Sequence, residues 1–150
     1  MTDLRPDEII AIAIRNEEAA AAFYRQVADL QTQQDLRDVF LDFSREEVRH
    51  KERLLQLEIS DLSKIETKKV IDLKIAETLT LIEPRDGMDY GDALAIGMKR
   101  EKEAYLFYRR LSETTDDMGL KNLFNSLAQE EAAHKLWFET EYDEFILLEN

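Results

Sequence analysis

The sequence predicts an all-α protein: a single four-helix bundle made of two helix hairpins joined by a long crossover. Three observations predict it. Glycine and proline supply only six of 150 residues, too few turns for a fold of many short strands. Apolar residues recur at steps of three and four through four long stretches. A shift of 84 positions then lays the first two stretches on the last two without a gap. The length fits one domain spanning residues 1–150.

The first helix runs from about Pro6, a residue suited to a first helical turn, to about Leu30. The second runs from about Asp35 to Ile59. The third follows Asp89, a capping residue, and ends near Glu113, and the fourth runs from about Asp116 to Leu147. The connections near Gln31–Gln34 and Thr114–Thr115 are short, which makes each pair antiparallel. Residues 60–88 are long enough to travel the length of a bundle. Within them Val70–Ile75 alternates weakly, as an extended segment would, and Ala76–Ile82 suits a short helix.

A formal charge of −13 disfavours nucleic acid and anionic membrane surfaces as partners. The absence of cysteine excludes disulfides, catalytic thiols, thiolate zinc sites and cysteine-held iron–sulfur clusters from these residues. The first residues are polar and acidic, and no apolar run approaches a membrane span. The expectation is a soluble cytoplasmic protein.

The repeat singles out the chemistry. Glu17 falls on Glu101, Phe23-Tyr24-Arg25 on Phe107-Tyr108-Arg109, Glu46-Glu47 on Glu130-Glu131, and His50-Lys51 on His134-Lys135. Both histidines of the chain are among the matched positions. Steps of three and four mark an inward seam on each helix. That seam carries Glu17 on the first helix, Glu47 and His50 on the second, Glu101 on the third, and Glu131 and His134 on the fourth. Glu17 and the Glu47/His50 pair lie at similar distances from the first tight connection, so they meet at one depth. The second hairpin repeats the relation.

Energetics decides what such a cluster is for. Four buried carboxylates repel one another or take up protons, and each costs several kcal/mol alone. Two divalent cations remove the problem, because four Glu⁻ and two neutral His around two M²⁺ sum to zero charge. One Glu from each of two helices with Glu-x-x-His from each of the other two is the arrangement of ferritin-like di-iron and di-manganese proteins. Hard carboxylates with little imidazole favour iron or manganese, and zinc or cobalt can still occupy the site; two iron ions are the expected cofactor, with manganese or zinc as substitutes. Glu46 and Glu130, four residues before each histidine, are the rival ligands, but they sit off the seam. Tyr24 and Tyr108 lie two turns beyond Glu17 and Glu101, so each phenol can donate to a metal-bound glutamate or simply pack in the core. Phe40, Phe43, Phe124, Trp137 and Phe138 read as core packing, and the Lys99-Arg100-Glu101-Lys102 run as a solvated face around one inward glutamate.

These residues resemble the rubrerythrin-like di-iron proteins of the ferritin-like superfamily, and the likeness covers nearly the whole chain. The pieces that carry it are Ala13–Glu18 with Phe23-Tyr24-Arg25, Met98–Glu103 with Tyr108, Glu46–Lys51, and Leu127–Lys135. The resemblance implies Glu17, Glu47, His50, Glu101, Glu131 and His134 as ligands, with Glu47 and Glu131 bridging. It also implies a homodimer and reduction of hydrogen peroxide or dioxygen in oxidative-stress defence. The family's rubredoxin module needs four cysteines, so electrons here would come from a separate donor protein. The family's additional glutamate, three residues after the third-helix ligand, is Ala104 here, and its repeat counterpart is Ala20. The ligand exchange that glutamate supports is therefore not implied for this chain. Two other functions fit the same residues: ferrous oxidation for iron storage or detoxification, and a non-catalytic interaction module stabilised by its metals.

Overall fold

A computed structural model describes residues 4–66 and 88–149. Among them α1 spans Pro6–Leu30, α2 Gln34–Leu55, α3 Ile59–Leu62, α4 Tyr90–Ser112 and α5 Met118–Glu149. The four long helices form two hairpins, α1 with α2 and α4 with α5. The extended segment expected at Val70–Ile75 and the short helix expected at Ala76–Ile82 lie outside the described residues.

The helix starts follow from local chemistry. Pro6 opens α1, and the Arg5 amide, which precedes it, donates to Glu8 Oε1 at 3.0 Å. Asp89 caps α4 by accepting from the Asp92 amide at 2.8 Å. For α5 the cap is Asp117, which accepts from the Leu120 amide at 3.0 Å, so that helix begins just after the expected Asp116.

The second helix is shorter than its apolar period suggests. It stops at Leu55, where the Leu57 amide closes a tight turn on the Leu54 carbonyl. A new one-turn helix follows, with the Glu58 amide donating to Asp61 Oδ2 at 2.9 Å. Ile59, the expected end of the second helix, is exposed and starts α3 instead. The break redirects the chain towards the other hairpin. Ile65 enters the core beside Leu111 and Leu120, and the Glu66 amide donates to the Thr114 carbonyl.

Two apolar clusters fill the bundle on either side of its midsection. One is mainly aliphatic, with Ile9, Ile10, Leu54, Leu111, Leu120 and Leu127. The other is aromatic: Phe23, Tyr24, Phe40 and Phe138 are fully buried, with Phe43 and Trp137 half-buried against them. The core reading of these rings holds. Gly97 matters here because a Cβ at that position would run into the Phe138 ring, so its absence lets α4 close on α5.

Candidate metal centre

Between the two clusters the bundle buries what most bundles exclude. Glu17, Glu47, His50, Glu101, Glu131 and His134 are each at most 4% exposed. Their side chains converge as two overlapping groups of four. Glu17, Glu47, His50 and Glu131 make one, and Glu47, Glu101, Glu131 and His134 the other. Within each group one donor atom per residue lies within 4.8 Å of the rest. Glu47 and Glu131 belong to both groups. All six sequence-derived site residues are thus brought together.

Both histidines turn Nδ1 inward. His50 Nδ1 lies 2.8 Å from Glu131 Oε1 and 3.4 Å from Glu17 Oε2. His134 Nδ1 lies 3.1 Å from Glu47 Oε1 and 3.5 Å from Glu101 Oε1. The two rings stack nearly parallel with centroids 6.4 Å apart.

The supporting contacts cross from hairpin to hairpin. Tyr24 on α1 donates its hydroxyl to Glu101 on α4, and Tyr108 on α4 donates to Glu17 on α1. Glu46 on α2 contacts Nε2 of His134 on α5, while Glu130 on α5 lies 3.6 Å from Nε2 of His50 on α2. Glu46 and Glu130 therefore stand behind the histidines, not among the convergent donors. Glu130 is itself held by Arg53 at 2.6 Å, and Arg53 also donates to Ser126 Oγ.

The electrostatics are those of an overcrowded acid cluster. Burial, then the charges of Glu131, Glu17 and Glu101, push the Glu47 carboxyl well above its usual range. Burial, then Glu101 and Glu17, do the same to Glu131. Burial would lower His134, but Glu101, Glu131 and Glu46 outweigh it and lift that imidazole to about 9. His50 is raised against its own burial, chiefly by Glu17. Burial also works against the Glu17 charge, yet its contacts to Glu47 and His50 leave it below the usual range. Tyr24 and Tyr108 are raised well above 10 by burial and the adjoining carboxylates, which keeps them hydrogen-bond donors.

Despite these short approaches, eight donor atoms of the six residues make no aligned hydrogen bond, including both oxygens of Glu47 and Nδ1 of each histidine. Native interiors leave few such atoms, and charged ones least of all. Converging oxygens and nitrogens, buried and unsatisfied, suit two oxygen-loving divalent ions. The donor set fits the group the sequence implied.

Two neighbours escaped sequence reasoning. Arg100 is not part of a solvated face: it is 5% exposed, with its guanidinium over the Phe23 ring, 5.2 Å from the centroid. That contact reaches across to α1, and nothing in a run of charges announces it. Asn16 is buried too, with both amide atoms unpartnered. The repeat could have flagged both, since 16 and 100 are equivalent positions.

A helical bundle whose midsection holds two glutamates and two Glu-x-x-His pairs defines the ferritin-like di-metal carboxylate class. The profile of the rubrerythrin family matches residues 8–142. The chain belongs to that family. It is 32% identical over 126 residues to the uncharacterized protein YhjR of Bacillus subtilis (strain 168), covering 84% of this chain and 79% of that protein. Its fold matches the crystal structure of a candidate ferritin-like diiron-carboxylate protein of Thermotoga maritima with a TM-score of 0.73. That match covers 96% of this chain and 98% of the other at 18% identity. No described helix is long and apolar enough to cross a membrane.

Proposed function

We propose that this protein is a non-haem di-iron oxidoreductase of rubrerythrin type, reducing hydrogen peroxide or dioxygen with electrons from a separate donor protein. The observation that carries it is the pair of overlapping buried groups sharing Glu47 and Glu131. Glu17 and His50 would complete one ion's ligands, Glu101 and His134 the other's. Two ferrous ions, when bound, supply the two electrons that cleave one peroxide O–O bond, with two protons taken up and two waters formed.

The chain's own residues prepare that step. Tyr24 and Tyr108 fix the carboxylates of Glu101 and Glu17 by donating to them, and so set where each ligand oxygen points. Glu46 holds Nε2 of His134, which keeps Nδ1 turned towards the carboxylates. The aromatic and aliphatic clusters on either side keep bulk water out. These 150 residues contain no cysteine, so the reading assigns electron supply to a separate donor.

The test is anaerobic loading with Fe²⁺ followed by peroxide titration, watching the absorbance of the oxidised iron pair. Two irons per chain and an end point near one peroxide per pair are expected. Iron bound without peroxide-driven oxidation would favour a metal-stabilised interaction module. Assembly into a cage retaining many irons per chain would favour storage.

A further inference from the structure

A small cavity opens between α1 and α4 and reaches the carboxylates of the centre. Its walls are three repeat pairs, Asn16 with Arg100, Glu17 with Glu101, and Ala20 with Ala104. Glu47 and Glu131 also reach it, and neither histidine does. A molecule in the cavity would thus meet the cluster from the carboxylate side. The two alanines leave room of about 20 Å³ for the centre of a water-sized molecule, which suits a species of very few heavy atoms.

Two of the pairs keep their residue type across the repeat, and the third does not. Asn16 brings a carbonyl and an amide nitrogen, both buried and without a hydrogen-bond partner. Arg100 brings a buried, permanently charged guanidinium, and the Phe23 ring lies under it. A buried amide is satisfied by a molecule that both accepts and donates. Hydrogen peroxide does both. Dioxygen donates nothing and accepts poorly.

We propose that Asn16 and Arg100 form the binding site for a peroxide substrate and favour it over dioxygen. The Asn16 amide exchanges hydrogen bonds with the peroxide, and the Arg100 guanidinium donates to its oxygens. This assignment rests on the oxidoreductase reading above and narrows it to one substrate class.

The test uses azide as a small-anion probe on the full chain loaded with Co²⁺, read by the visible spectrum of the metal. Asn16→Leu and the cavity-filling Ala104→Leu should each keep two cobalt ions per chain and weaken azide about tenfold or more. With iron loaded, Asn16→Leu should slow oxidation by peroxide more than oxidation by dioxygen. Should Asn16→Leu fail to fold, Asn16→Ala, which only enlarges the cavity, carries the same comparison. Unchanged azide affinity in variants that hold two cobalt ions overturns the cavity assignment and leaves the metal reading standing. Equal slowing of both oxidants overturns the peroxide preference. A wild-type chain that takes up no cobalt overturns the metal reading, and the cavity assignment falls with it.

Discussion

At the scale of single residues, the distinction that matters is between neighbours in sequence that face opposite ways. Glu131 lies among the converging donors of both groups, whereas Glu130 lies outside them, between Arg53 and Nε2 of His50. Glu131→Ala should therefore cost both metal ions, measured as bound metal per chain after dialysis. Glu130→Ala should keep two ions and weaken retention about 10–100-fold, the usual range for a residue behind a ligand. The reverse order would put the site one residue out of register. The six inward residues were legible in the sequence because period and repeat agree on them independently. What stands behind them was not. Period places Glu46 and Glu130 beside their own histidines, but in the folded chain each serves the histidine of the other hairpin. The burial of Arg100 is hidden for a related reason: its ring partner Phe23 is on another helix, and local pattern carries no trace of a distant partner.

At the scale of helices, the positions that could be read were those fixed by short-range chemistry. Pro6 and Asp89 start their helices as their types require. The end of α2 was hidden because Leu54, Leu57 and Ile59 continue an apolar period past the true stop at Leu55. There the chain turns so that Ile65 can reach the core, a demand of tertiary packing. Close helix contact makes its own prediction at Gly97. Replacing glycine by alanine inside a helix normally stabilises it by about 1 kcal/mol. Here the new methyl would strike Phe138, which stacks on Tyr24 with ring centroids 5.7 Å apart. Gly97→Ala should instead destabilise by about 1–3 kcal/mol, seen as a melting temperature lower by several degrees. A gain in stability would mean that α4 and α5 are farther apart than described.

For the whole molecule, the acid cluster couples stability to pH. Glu47 and Glu131 have folded-state pKa values above their unfolded ones, so stability is lost as pH rises from the unfolded value towards the folded one. His134, lifted to about 9, stabilises fully below its unfolded value and loses that contribution as pH climbs through 9. The two effects have the same sign. Glu17, lowered, acts in the opposite sense but only below the usual carboxylate range. The metal-free protein should therefore melt at a lower temperature at pH 9 than at pH 5. A Glu47→Gln, Glu131→Gln double variant should flatten that slope, which separates the cluster from the general repulsion of a chain carrying −13. Metal binding needs deprotonated ligands, so Zn²⁺ should raise the melting temperature more at pH 8 than at pH 6. A metal-free protein whose melting does not vary between pH 5 and pH 9 would contradict the crowding described. The crossing contacts carry one more consequence. Tyr24 to Glu101, Tyr108 to Glu17, Glu46 to His134 and Glu130 to His50 pair residue i of one half with residue j of the other, and j with i. That reciprocity is the mark of an isologous dimer interface, here written into one polypeptide. Two copies of a single hairpin would already bring together all six converging side-chain types and these four crossing contacts. The two halves depart from that symmetry at one equivalent position beside the cluster, Asn16 in one and Arg100 in the other.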